Sequence, residues 1–151
     1  MAEITNDARF REVLQALSLT DQRSVGARFI NLVISLTDDE RIEYATRVAG
    51  NKDATEAELA AAHKAAKASA LECHTRCGAD ADWSAQAGYF VARAASAIVA
   101  SEQGAGNDSP AWNAAMNCRM ARTCTMIESN TDEESQESEK QYRILEQYMN
   151  P

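Results

Sequence analysis

The side chains with the most chemical potential in this chain form one short cluster, Cys73-His74-x-x-Cys77. On a helix, residues 73 and 77 lie one turn apart, so both thiols would point the same way, with the imidazole beside them. Thiolates and imidazoles are ligands that zinc prefers, and Cys118 on a later helix could complete a tetrahedral site. The spacing is not the C-x2-C of a zinc knuckle, and buried free cysteines commonly pack as small apolar residues. Core packing is the favoured interpretation, and a thiol or metal-binding protein built on this cluster is the alternative.

A nucleophilic cysteine would also need a base, and the chain has two histidines, His63 and His74. They are 11 residues apart, which is about 16 Å along a helix axis, so they cannot share one metal ion or one proton. The sequence contains no GxGxxG after a strand, no GxSxG and no HExxH. We therefore expect a protein that is not an enzyme and that binds no cofactor.

The charge is negative and unevenly distributed. A net charge of −8 disfavours direct binding to nucleic acid and to anionic membranes. Residues 128–151 carry seven acidic and two basic residues, and most of the acids fall within residues 128–139, which we call the acidic segment. This segment is either a solvated surface feature or a contact for a partner protein with a basic surface. The candidate partner-binding residues are Asp132, Glu133, Glu134 and Glu137.

The elements that must position these residues are predicted to be helices throughout. Apolar residues recur at three- and four-residue spacing, strand-like alternation is absent, and prolines and glycines are few. Residues 1–151 are therefore predicted to form a single all-α domain, a bundle of six to seven helices.

Two alanine-rich helices, residues 55–77 and 82–101, are predicted to form an antiparallel hairpin at the centre of this bundle. Thr55-x-x-Glu58 is a capping box for the first helix, and Asp82 can cap the second. Alanine favours helix and leaves little bulk between facing backbones.

Outside the hairpin, helix starts are predicted at Thr5 or Asn6, at Thr20 or Asp21, at the capping box Thr37-x-x-Glu40, and at Ser109-Pro110. The second helix is expected to run to about Leu36, and the last to span residues 140–149. The helix after Ser109 is expected to bury the stripe Trp112, Ala115, Met116, Met120, Thr123 and Ile127.

Two single residues carry predictions about packing. Gly26 weakens its helix by about 1 kcal/mol against alanine, and it either allows a close helix crossing or has no structural role. Arg119 lies between two methionines of the predicted stripe, where burial would require an acidic partner. For this arginine and for Arg93, Arg122 and the Arg76–Asp82 region, we favour a structural ion-pair network over an anion site.

The location is predicted from what the sequence lacks. The N-terminus has no basic and apolar signal-peptide pattern, and no apolar run approaches the roughly 20 residues that span a bilayer. We expect a cytoplasmic protein with reduced cysteines and no membrane contact.

One stretch resembles a known family. Residues 38–70 read DDERIEYATRVAGNKDATEAELAAAHKAAKASA and are followed by the second alanine-rich helix. This order of acidic helix, short turn, T-x-x-E-L and alanine-studded helices resembles the alanine-rich, all-helical bacterial immunity proteins over about residues 38–100. The resemblance implies a small cytoplasmic protein that binds and neutralises a toxin. It transfers no functional residue, because the shared positions are packing positions, and it does not explain the cysteines or the acidic segment.

Taken together, these observations favour a small acidic helical protein that binds and neutralises or regulates another protein, in the manner of an immunity protein or an anti-defence inhibitor. Two alternatives stay open. One is the thiol or metal-binding protein, and the other is an oligomeric scaffold subunit, for which the partner would be a further copy of the chain.

Overall fold

The structure is a computed structural model that describes residues 3–76, 82–101, 109–129 and 136–151. Within these ranges the chain forms seven α-helices and no β-strand, so the predicted all-α bundle is confirmed. A 3-10 helix, Ile34–Leu36, lies between the second and third α-helices. The α-helices are α1 (Asp7–Ala16), α2 (Leu19–Asn31), α3 (Glu40–Gly50), α4 (Glu56–Arg76), α5 (Trp83–Val99), α6 (Pro110–Glu128) and α7 (Glu137–Met149). None of these helices combines the length and the apolar character that crossing a membrane requires.

Most of the predicted helix starts are confirmed by their hydrogen bonds. At α4 the capping box is reciprocal: Thr55 Oγ1 accepts from the Glu58 N–H (3.1 Å), and Glu58 Oε1 accepts from the Thr55 N–H (3.2 Å). Side-chain oxygens cap three further helices in the predicted way, at Asn6 for α1, Asp82 for α5 and Ser109 for α6. Each of these bonds satisfies a backbone donor that the first turn leaves without a helical partner.

Two predicted caps are wrong. Ser18, rather than Thr20 or Asp21, caps α2 by accepting from the Asp21 N–H at 3.1 Å. At α3 the cap is Asp39, not Thr37, whose hydroxyl instead accepts the N–H of Asp39.

Two predicted boundaries also differ. The second helix ends at Asn31, since the chain tightens into the 3-10 helix before Leu36. The last helix begins at Glu137 rather than Lys140, so part of the acidic segment is helical.

The alanine-rich hairpin is antiparallel, as predicted, with α5 as its central arm. Near the turn, the rings of His74 and Tyr89 lie 5.3 Å apart, and Ala70 lines a groove with Arg93 further along both helices. Helix α5 packs most extensively against α6 and α4, and it also contacts α2 and α3. Helix α4 covers one side of it with a narrow buried stripe: Ala62, Ala66, Ser69 and Cys73.

Gly26 lies at a close helix crossing, which is one of its two interpretations from the sequence. A Cβ placed on Gly26 would lie 2.5 Å from Cγ2 of Ile98 in α5 and 3.8 Å from Cβ of Ala114 in α6. Since real Cβ atoms do not approach so closely, only glycine lets α2 enter the angle between α5 and α6.

Candidate functional site

The structure separates the members of the cysteine–histidine cluster. Cys73 is buried, and its sulfur faces α5 beside Gly88. His74 is exposed and packs on the ring of Tyr89. The thiol and the imidazole therefore point to different surroundings. Cys77 lies outside the described residues.

Cys118 lies in the core, on the side of α6 that approaches α7. Burial raises the pKa of its thiol well above the ordinary value, and the nearby carboxylate of Glu137 adds to this rise. A thiol held in its protonated form is a poor nucleophile and a poor metal ligand. Among the residues that the structure describes, no three histidine, cysteine or acidic side chains lie close enough together to hold a metal ion.

The two histidines occupy separate surfaces. His63 is half-buried in a groove between α4, α5 and α6, and burial, with the charge of Lys67, lowers its pKa. The thiols of Cys73 and Cys118 are buried away from solvent.

Glu137 requires a correction among the predicted partner contacts. It is 2% exposed, and its Oε1 accepts a hydrogen bond from Arg122 Nε at 3.2 Å. This carboxylate fixes the start of α7 against α6 and is not presented to a partner. Asp132, Glu133 and Glu134 lie outside the described residues, so their assignment stays a prediction. Glu128, at the end of α6, is exposed and accepts hydrogen bonds from the Ser84 hydroxyl.

Arg119 has the acidic partner that its position requires, and the partner is far away in sequence. Its guanidinium forms two hydrogen bonds with the carboxylate of Asp7, at 2.9 and 3.0 Å, and a third with Gln141. Tyr142 also donates to Asp7. The hydrogen bond from Arg119 holds the pKa of Asp7 below its usual range. This group is structural, since it joins α1, α6 and α7.

A second polar group joins α3 to α4. Asp39 accepts hydrogen bonds from Arg41 and from the Ser69 hydroxyl, the latter at 2.6 Å, while Arg41 also pairs with Glu72 at 2.8 Å. The bonds from Arg41 hold the pKa of Asp39 well below its usual range. These residues line an open groove, but their polar atoms are directed at one another. The side chains of Arg76 and Asp80, which the sequence places near the hairpin turn, lie outside the part of the chain that the structure describes. Asp82 is the N-cap of α5.

Helix α6 carries the clearest departure from the predicted core. Its inward face consists of small residues: Ala111, Ala114, Ala115, Cys118, Ala121 and Cys124. Of the predicted inward stripe, Ala115 is buried, but Met120 is 47% exposed, Ile127 is 48% exposed and Thr123 is exposed. Trp112 and Met116 are half-buried. Met120 and Ile127 thus face outward, and together with Met116, which is half-buried against the core on the same line of the helix, they form what we call the α6 stripe.

Small residues face inward on α6 because the neighbouring helices lie close to it. Helices α2 and α5 approach α6 closely, as the contact of Gly26 with Ile98 and Ala114 shows. Alanine and cysteine fit between backbones at that separation, whereas methionine and isoleucine do not. The repeat of small residues at 111, 114, 115, 118 and 121 indicates the inward face of α6. The larger and more hydrophobic residues of the predicted stripe indicate a different face, and the prediction followed them.

Helix α5 carries aromatic side chains near the level of the α6 stripe. The two helices are antiparallel, because Ser84 bonds Glu128 at one end and Arg93 shares a groove with Asn117 further along. Phe90 is therefore close to the level of Met120, and its half-buried ring contacts Tyr89 at 5.4 Å between centroids. The surface is apolar along α6, aromatic along α5, and ends in the carboxylate of Glu128.

Comparison of the chain with protein-family models, with curated proteins and with solved structures finds no match. No relative therefore bears on the resemblance to the immunity proteins, and the functional inference rests on the geometry of the chain itself.

Proposed function

We propose that this chain is a non-enzymatic, acidic helical protein that binds another protein, and so neutralises or regulates it, through the outward surface of α6 and α5. The observation that supports the proposal is the α6 stripe. A surface helix of a globular protein normally places its large apolar side chains inward. Helix α6 instead buries a row of alanines and cysteines and leaves Met120 and Ile127 exposed.

Exposed apolar side chains are common singly, so their arrangement matters more than their number. Met116, Met120 and Ile127 are spaced at i, i+4 and i+11, which places them along one line on the helix surface. Phe90 of α5, whose ring is half-buried, is close to the level of Met120. Flexible methionines with a neighbouring aromatic ring are typical of surfaces that adapt to a protein partner.

The charge at the end of the stripe suggests the chemistry of the partner. Glu128 terminates α6, and the acidic segment that begins there holds six of the chain's carboxylates. A partner with an apolar centre and a basic rim would match both features. In the immunity-like form of the proposal, the partner is a toxin, and binding of this chain covers the toxin's surface.

The test uses two charge-matched double variants. Met120→Glu with Ile127→Glu places two carboxylates on the α6 stripe. Leu71→Glu with Met149→Glu places two on exposed apolar positions of α4 and α7. All four positions are exposed, so both variants should keep the helical circular dichroism and the melting temperature of the wild type.

Affinity capture from cells of the source organism, followed by quantitative mass spectrometry, is then compared among the three proteins. We expect a protein captured by the wild type and by the Leu71/Met149 control to be lost from the Met120/Ile127 variant. Capture that is equal for all three would exclude the α6 surface. Sedimentation velocity separates the scaffold alternative: a wild-type dimer that the Met120/Ile127 changes convert to a monomer would identify the occupant as a second copy.

A further inference from the structure

A second surface of the molecule, independent of the proposed function, has the composition of an anion-binding cleft. It lies between α2, α3 and α7 and encloses about 700 Å³ of space. Its walls are one face of α2 and one face of α3. On each face the lining residues are spaced at i, i+3, i+4 and i+7, the spacing of neighbours on one side of a helix. The lining residues of α2 are Ser24, Ala27, Arg28 and Asn31, and those of α3 are Glu43, Thr46, Arg47 and Gly50.

The cleft is positively charged on a negatively charged protein. Arg28, Arg47 and Lys52 line it, and Glu43 is the acidic residue among its described lining side chains. Arginines elsewhere, such as Arg41 and Arg119, are paired with carboxylates. Within the described part of the chain, neither Arg28 nor Arg47 has an acidic side chain within ion-pair distance. Both guanidinium groups therefore keep their charge and their donors free for a ligand.

The ring of Tyr148, in α7, packs against two of these cations, Arg28 and Lys52. The guanidinium carbon of Arg28 lies 5.0 Å from the centroid of its ring, and Nζ of Lys52 lies 5.5 Å from it. The Tyr148 hydroxyl donates to Asp21, which also pairs with Lys52 at 3.5 Å. Cation–π contact positions a charge but leaves its hydrogen-bond donors available.

Ser24 provides an independent indication of a ligand. The residue is 8% exposed, and its hydroxyl is buried with no hydrogen-bond partner among the described residues. A buried hydroxyl without a hydrogen-bond partner destabilises the folded state. Thr46 across the cleft avoids this cost because its hydroxyl donates to the Ile42 carbonyl at 2.8 Å. Ser24 is thus a donor placed at the wall of a cationic cleft with nothing in the described chain to accept its hydrogen bond.

We infer that this cleft binds the phosphate group of a small molecule. Forked guanidinium donors and a hydroxyl match the several oxygens of a phosphate, and two unpaired arginines favour a dianion over a monocarboxylate. The volume is within the range of small-molecule sites. Ala27, Ile34 and the Tyr148 ring provide apolar surface for the group that carries the phosphate.

In the test, the full chain is titrated with phenyl phosphate, and binding is monitored by two-dimensional amide NMR. We expect saturable shifts at Ser24, Arg47 and Tyr148. Arg28→Gln with Arg47→Gln should raise the dissociation constant about tenfold or more, since charged hydrogen bonds are lost. The matched control is Arg93→Gln, because Arg93 is also exposed and lies over a tyrosine ring, at 5.7 Å from Tyr89. That control should leave the dissociation constant unchanged.

Benzoate and a short Asp/Glu peptide are the comparison ligands. We expect benzoate to bind about tenfold more weakly than phenyl phosphate, because it carries one charge and two oxygens. Shifts that do not saturate by about 10 mM phenyl phosphate would overturn the inference, since they correspond to less than about 3 kcal/mol of binding. Equal affinity of wild type and the Arg28/Arg47 variant, or binding of the peptide in preference to phenyl phosphate, would overturn it as well.

Ser24→Ala separates a ligand contact from a structural effect. Without ligand, this variant should be as stable as the wild type or more stable, because it removes an unsatisfied hydroxyl. Its affinity for phenyl phosphate should nevertheless fall by about threefold or more. Undiminished affinity in Ser24→Ala would contradict the assignment of this hydroxyl to the ligand.

Discussion

Gly26 of α2 and Ile98 of α5 meet so closely that a Cβ on the glycine would lie 2.5 Å from Cγ2 of the isoleucine. Ile98 is fully buried, and its Cγ2 is attached directly to Cβ, so it cannot swing aside as a flexible side-chain end would. This contact sets the distance between α2 and α5, and with it the size of the residues that fit around it.

Two glycine substitutions should therefore have opposite effects on stability. Gly26→Ala is expected to destabilise by about 1–3 kcal/mol, because overpacking outweighs the roughly 1 kcal/mol gain in helix propensity. Gly88→Ala, in the middle of α5, is expected to stabilise by up to about 1 kcal/mol, since its Cβ would meet only the sulfur of Cys73, at 3.9 Å. Urea unfolding followed by circular dichroism measures both. If Gly26→Ala proves as stable as the wild type, the close crossing does not restrict α2.

Asp39 should make stability depend on pH in the acidic range. Hydrogen bonds from Arg41 hold the pKa of this carboxyl below its usual range in the folded protein. Its contribution is therefore complete above about pH 4, the ordinary aspartate value, and is lost as the pH falls toward the folded value. Asp39→Asn is expected to lower the free energy of unfolding by about 1–3 kcal/mol at pH 7, with a smaller difference at pH 3. Melting temperatures across this range, with exposed Asp38→Asn as the control, check the prediction. A difference that does not vary between pH 7 and pH 3 would contradict it.

The buried thiol of Cys118 should be unreactive in the native protein. Burial raises its pKa, and only the thiolate attacks alkylating agents. The protein is treated with iodoacetamide at pH 8, and modification is measured by peptide mass spectrometry. In the native protein we expect Cys118 to be modified only as fast as local or global unfolding exposes the thiol. In denaturant we expect rapid modification. The denatured sample is the control for intrinsic reactivity. Rapid native labelling of Cys118 would instead favour the thiol alternative for this chain.

The predicted acidic contacts should divide into two groups on substitution. Glu137→Gln is expected to lower stability by about 1–3 kcal/mol, because the carboxylate is buried and bonds Arg122. The triple change Asp132→Asn, Glu133→Gln and Glu134→Gln is expected to leave stability within about 0.5 kcal/mol and to slow association with the native partner about tenfold at low salt. Surface plasmon resonance at low salt and near 1 M salt measures the second effect. An association rate that is unchanged at both salt concentrations would make the segment a solubility feature.

Much of the local structure could be predicted because it depends on neighbours in sequence. The capping box of Thr55 and Glu58 and the cap at Asp82 use hydrogen bonds between residues three positions apart. Such bonds form in any environment that allows a helix, so they can be read directly. The cap of α2 was missed by two or three residues because Ser18 lies among several side chains that can cap, and local chemistry does not rank them.

The candidate sites could not be predicted in the same way. Arg119 finds Asp7 across 112 residues, and the cationic cleft joins Arg28, Arg47 and Tyr148 from three helices. The signal for the cleft was present as the same polar spacing in two helices, but that spacing does not indicate which faces meet. Such contacts depend on how the helices cross.

The sequence by itself determined that the chain is helical, where most helices begin, and that Arg119, if buried, requires an acidic partner. Only the tertiary structure decided which face of α6 turns inward. Two apolar faces were possible, and the hydrophobic effect alone favours burying Met120 and Ile127. The narrow space between α2, α5 and α6 admits alanine and cysteine instead, because packing at short distance excludes the larger side chains, and these are left on the surface.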